Sequence, residues 1–168
     1  MSDNALRPDH LLVIDPRVTG WPSHLIAAGP NAAVLILDHN RDGLQQVNDV
    51  AANYAPLTGI TLVGHGSPGL LLLGHSVLDA TSLSPAGNAL HRLGASLADA
   101  ARIHILGLPG AGVSGRYLAH RLAHAIGRTV VTEHLHKRPA LLPSARIAAP
   151  APLAGGAPPR LSLVTGNA

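Results

Sequence analysis

The chain has 168 residues, 46% of them hydrophobic and 12% charged, with a mean hydropathy of +0.25 and a formal charge of +3. That is the profile of one domain with a real core, since about 150 residues per domain leaves little room for a second and so apolar a chain does not stay disordered. It contains no Cys, which excludes disulfides, iron–sulfur clusters, Cys-bound zinc and thiol catalysis.

The opening residues, MSDNALRPDHLLVID, show no basic segment followed by a long apolar one. The expected location is therefore the cytoplasm, with export lacking a cleaved leader as the alternative. No apolar run approaches the roughly 20 residues a membrane span needs. Residues 11–15 (LLVID) read as a first strand and residues 21–28 as a short helix. Residues 33–38 form a second strand, and residues 42–53 (DGLQQVNDVAAN) a helix with Leu44, Val47, Val50 and Ala51 on one face. The third strand is 60–65 (ITLVGH), and residues 69–81 read as an inserted β-hairpin. A helix over 84–98 carries the stripe Leu90, Leu93, Leu97. The fourth strand is 103–107, a helix over 116–126 places Leu118, Leu122 and Ile126 together, and residues 129–133 make the fifth strand. Unbroken apolar strands require burial on both faces, hence a parallel sheet. Strands alternating with helices predict a three-layer α/β/α sandwich with a mostly parallel sheet and the flavodoxin-like order 2-1-3-4-5. This domain is expected to span residues 1–138. Residues 139–168 read as a Pro/Ala/Gly-rich tail, with six Pro and seven Ala in residues 139–160 and a short terminal strand at 161–164.

Charge is lopsided. Residues 1–100 hold four Arg against eight Asp, whereas residues 101–168 hold eight Lys plus Arg against Glu133 alone. With one Trp and two Tyr, the chain lacks the aromatic platforms of a single-strand binder, and nucleic acid is a disfavoured partner. Arg116, His120, Arg121, His124 and Arg128 make the last helix region basic. It is a solvated face or a surface for an anionic partner, and His134, His136, Lys137 and Arg138 extend it.

Ligands of open parallel sheets bind beyond the carboxyl ends of the strands, near the point where strand order reverses. Those ends carry Asp15, Asp38, His65, the Leu108 loop and Glu133. In the expected order, Asp15 and His65 are neighbours, and a carboxylate beside an imidazole is what a general base needs. Equally, Asp15 and Asp38 serve to bond loop amides. The string GHGSPG at 64–69 frees the backbone around His65 to turn, but it is not a serine-hydrolase elbow.

The successive segments LVIDPRV, LILDHNRDGLQQV, LVGHGSPGLLLLG and IHILGLPGAGVSG resemble the bacterial domain-of-unknown-function 4347 family over about residues 11–135. That family is similar to the caspase-like cysteine peptidase fold. The resemblance implies that His65 matches the catalytic histidine and that Leu108, after Gly107, falls where the cysteine belongs. A thiolate is the nucleophile in such enzymes. Leucine cannot replace it, Ser67 is awkwardly close to His65 in sequence, and Ser114 would need its loop to fold back. Leu108 is expected to be buried, gaining about 1.5–3 kcal/mol of packing.

A rival pattern overlaps this loop. Gly110, Gly112 and Gly115 fit G-x-G-x-x-G, with Glu133 further on, the fingerprint of a dinucleotide-binding turn. Leu108 and Pro109 lengthen that turn, and it follows the fourth strand rather than the first. His120 and His124 have chelating spacing but no accompanying carboxylate, so no metal is expected. The favoured function is thus a catalytically inactive caspase-like domain, binding an unidentified protein partner as a scaffold in a bacterium, with no cofactor and no membrane. The alternatives are a nucleotide- or dinucleotide-binding protein, or a hydrolase using His65 with an unconventional nucleophile.

Overall fold

A computed structural model describes residues 7–133. The chain divides into two units, residues 1–137 and 138–168, and every described residue lies in the first. The expected tail and terminal strand, together with His134, His136, Lys137 and Arg138, lie outside the described residues.

The elements are β1 (His10–Ile14), α1 (Pro22–Ala27), β2 (Ala32–Ile36), α2 (Gly43–Tyr54) and β3 (Leu57–Val63), followed by β4 (His65–Ser67), β5 (Leu70–Leu73) and β6 (Ser76–Leu78). Then come α3 (Gly87–Ala95), β7 (Leu97–Leu106), a single 3-10 turn (Leu108–Gly110), α4 (Gly112–Ile126) and β8 (Thr129–Glu133). The main sheet is parallel throughout, in the order β2-β1-β3-β7-β8. This is the 2-1-3-4-5 order expected from the sequence.

Both faces of the strands are used, which explains their unbroken apolar runs. Leu11, Val13, Ile60, Leu62, Ile103 and Ile105 face a large core with α2, α3 and α4, through Leu44, Val47, Leu90, Leu93, Leu118 and Leu122. Leu12, Ile14 and Val63 point the other way, against Trp21 and Leu25 around α1. The result is a three-layer α/β fold. Helix ends follow local chemistry: the Asp42 side chain accepts from the Gln45 amide at 2.8 Å and starts α2. Gly127, at φ 74, closes α4 by donating its N–H to the Ala123 carbonyl.

Several boundaries depart from the expected ones: β3 runs over Leu57–Val63 rather than 60–65, β7 over Leu97–Leu106 rather than 103–107, and α4 begins at Gly112 rather than at 116. The helix expected over 84–98 stops at Ala95, and Leu97 and Ala98 belong to β7. The reason is tertiary: the Leu57 N–H donates to the Ser96 carbonyl at 3.0 Å, and Leu57 pairs with Leu97. Leu97 is buried as the helical stripe required, but from a strand. The expected hairpin is a three-stranded antiparallel sheet, β4-β5-β6, and it begins at His65 itself.

Candidate functional site at the carboxyl ends of the sheet

β3 and β7 are paired neighbours, so the segments leaving them, Gly64 onward and Gly107 onward, run out side by side. His65 opens β4 and is exposed. Gly66, at φ 140, has no room for a side chain, because a Cβ there would run into the Leu70 carbonyl and lie 3.5 Å from Pro109. The Gly69 N–H donates to the Pro109 carbonyl at 3.0 Å. The β4–β5 turn thus packs on the 3-10 turn, and His65 and Leu108 each lie one residue from the Gly66–Pro109 contact.

Leu108 is not buried. It is 62% exposed, so the packing gain expected for it is not realised. Gly107, at φ 97, swings the chain outward, and Pro109 takes the buried position instead. Val113 and Tyr117, one turn apart near the start of α4, are 74% and 51% exposed. With Pro68, Asp79, Thr81 and Ser114 they line a depression of about 500 Å³ beside the 3-10 turn. On its far wall, hydrogen bonds from the Thr81 hydroxyl and the Ser82 and Thr81 amides pull the Asp79 carboxyl down to about 2. Val113 and Tyr117 were missed in the sequence, although both fall off the Leu118–Leu122–Ile126 stripe, which was the signal available.

Asp15 reaches the same end of the sheet, its N–H bonded to the Val63 carbonyl at 2.9 Å. Its buried carboxylate accepts from Arg17 Nε at 2.9 Å, Arg17 Nη2 at 2.6 Å and the Gly74 amide at 3.3 Å. Burial pushes its pKa up, but the Arg17 hydrogen bonds and charge and the Gly74 amide outweigh it, leaving the carboxyl below its ordinary value. Among the described residues no hydrogen bond joins Asp15 to His65. Asp38 accepts from the Asn40 amide at 2.9 Å in a local turn.

A family model described as Domain of unknown function (DUF4347) matches residues 11–136. The chain belongs to that family. No curated protein and no solved structure matches it. Among the described residues of this family member, no helix is long and apolar enough to cross a membrane.

Two glycines of the G-x-G-x-x-G loop, Gly110 and Gly115, have packing roles here. A Cβ on Gly110 would approach the Thr132 side chain to 2.7 Å, and one on Gly115 would collide with the Gly110 carbonyl. Gly112, at φ 64, faces open space at the first turn of α4. Glu133 Oε1 is 3.0 Å from His104 Nδ1, next along the sheet. His120 and His124 are exposed on α4, and no group of three metal-ligating side chains occurs among the described residues. The end of the sheet therefore combines an exposed imidazole, two exposed serines (Ser67 and Ser114) and the exposed apolar side chains Leu108, Val113 and Tyr117, in a chain without a thiol.

Proposed function

We propose that this chain is a catalytically inactive relative of caspase-like cysteine peptidases that works as a protein-binding or scaffolding module. The supporting observation is Leu108. By the resemblance it stands where a nucleophilic cysteine belongs, and it is a 62%-exposed leucine on the turn packed against the His65 strand. An exposed leucine cannot attack a carbonyl, but its apolar surface favours being covered by a partner. Val113 and Tyr117 add exposed apolar surface near the same end of the sheet, and tyrosine is among the residues enriched at recognition hot spots. A domain that had exchanged cutting for holding would present this combination.

The test uses the full chain against a fluorogenic peptide library and, separately, a random displayed-peptide selection. The expected result is no turnover that His65→Ala removes, and selected peptides whose affinity falls at least tenfold in Leu108→Asp. Turnover abolished by His65→Ala would overturn the reading in favour of a hydrolase. Calorimetric binding of NADH or ATP that a bulky side chain at Gly112 blocks would support the nucleotide alternative instead.

A further inference from the structure

β8 ends the parallel sheet, so among the described residues only its β7 side is paired. The Glu133 carbonyl accepts from the Gly107 N–H at 3.1 Å. Backbone direction alternates along a strand, so Thr129, Val131 and Glu133 turn their amide groups toward β7 while Val130 and Thr132 turn theirs outward. α4 runs beside that edge. Its stripe Arg116, Ala119, His120 and Ala123 lines, with Val130 and Thr132, an open trough of about 690 Å³. Ala119 and Ala123 keep its helical wall low. Arg116 and His120 are exposed and have no hydrogen-bond or ion-pair partner among the described residues. Arg128 is already committed, donating to the Ala98 and Leu97 carbonyls at 2.9 and 3.0 Å and meeting Asp99 at 3.3 Å.

We propose that this trough takes an extended acidic segment of a partner protein as an added strand on β8, with two carboxylates reaching Arg116 and His120. The charge argument is one of sign: α4 carries Arg116, His120, Arg121 and His124 and no acid. The spacing argument is metric. Four residues of helix rise about 6 Å, and two residues of strand rise about 6.6 Å. Side chains two apart on a strand point the same way, so the carboxylates must be separated by one residue and cannot be adjacent. The outward backbone groups of Val130 and Thr132 supply affinity, and the cation and ring N–H supply selectivity, as in other strand additions to a sheet edge. Asp99, fully exposed at the opposite end of the trough, disfavours an acidic residue beside Thr129 and so fixes which end of the trough the acids occupy. This surface is separate from the Leu108 patch and does not depend on it.

The experiment titrates the full chain into a fluorescein-labelled, end-blocked octapeptide of alternating valine and threonine that carries two glutamates two positions apart, read by anisotropy. The peptide is expected to bind, and at least tenfold more weakly when its glutamates are adjacent. The same loss is expected when its β8-facing amides are N-methylated, or when the chain carries Arg116→Glu with His120→Glu. Leu108→Asp is expected to leave its binding unchanged, which separates this surface from the proposed site. No binding, equal binding of a lysine counterpart, or indifference to N-methylation would overturn the proposal. Self-association of the chain that excludes the peptide would overturn it in favour of a second copy.

Discussion

Arg17 grips Asp15, two residues before it, at both carboxylate oxygens, with Nε–Oδ1 at 2.9 Å and Nη2–Oδ2 at 2.6 Å. The same Nη2 donates to the Gly74 carbonyl at 2.9 Å, and the Gly74 N–H returns to Oδ2 at 3.3 Å. Gly74 lies in the turn between β5 and β6, where φ is 55 and a Cβ would run into the Arg41 carbonyl. The circuit therefore ties the small antiparallel sheet to the exit of β1.

Asp15→Ala should cost about 2–3 kcal/mol, because it strands a buried amide and a guanidinium that is only partly solvated. Asp15→Asn, which retains an acceptor for Gly74, should cost less. Urea unfolding followed by the single tryptophan, Trp21, measures both. A change below about 0.5 kcal/mol in Asp15→Ala would show that the circuit is not a fastening.

Stability should fall on acidification in two stages. Burial, aided by the His104 charge and opposed by Asp9, lowers His10 below its ordinary 6.5, and burial lowers His24. Between the lowered values and 6.5 the unfolded chain binds more protons, so stability declines as pH drops below neutrality. His10→Gln should flatten that stage. Asp15, Asp42 and Asp79 all lie below the ordinary 3.8 in the folded chain. Their contribution is present above that value and is lost as pH falls through it toward the folded values. Thermal melts from pH 7.5 to 2.5 resolve the two stages; a flat profile between pH 7 and 5 contradicts the histidine stage.

Gly115→Ala should destabilise by about 1–3 kcal/mol or more, the range for overpacking a close contact, because its Cβ would collide with the Gly110 carbonyl. Gly112→Ala meets no atom and should cost only the strain of positive φ, about 1 kcal/mol. Denaturant midpoints of the two variants without any ligand check the order. The reverse order would mean that the loop glycines are not there for packing.

Leu108→Cys should alkylate readily, since position 108 is 62% exposed. A nearby protonated imidazole lowers a thiol pKa below about 8.5 and speeds alkylation near neutral pH. The single variant should therefore react faster at pH 7 than the Leu108→Cys, His65→Ala double variant. Equal rates in the folded pair would sink the functional pairing of positions 65 and 108. Peptidase activity need not return, since oxyanion donors are a separate requirement.

The strands were legible because burial on both faces writes an unbroken apolar run into the residues themselves, as at Leu11, Leu12, Val13 and Ile14. His65 and Leu108 could be brought to one end of the sheet by strand order alone. Leu108's exposure was not legible, because a leucine beside a strand end reads as core until the φ of Gly107 and the burial of Pro109 are known. The exposure of Tyr117 and Val113 is not legible for the converse reason: a helix pattern states which face is buried and says little about what the other face adjoins.

By itself the sequence determined the parallel α/β architecture and the absence of any thiol nucleophile, since hydrophobic periodicity and residue identity are local properties. Only the tertiary structure decided what Asp15 holds, where α3 gives way to β7, and which cations flank the outer edge of β8. Each of these rests on contacts between distant residues, such as Asp15 with Gly74, 59 positions apart, or Leu57 with Ser96. A long-range pairing outweighs a local preference once burial makes an unpaired polar group costly, and no short window of sequence carries that partner.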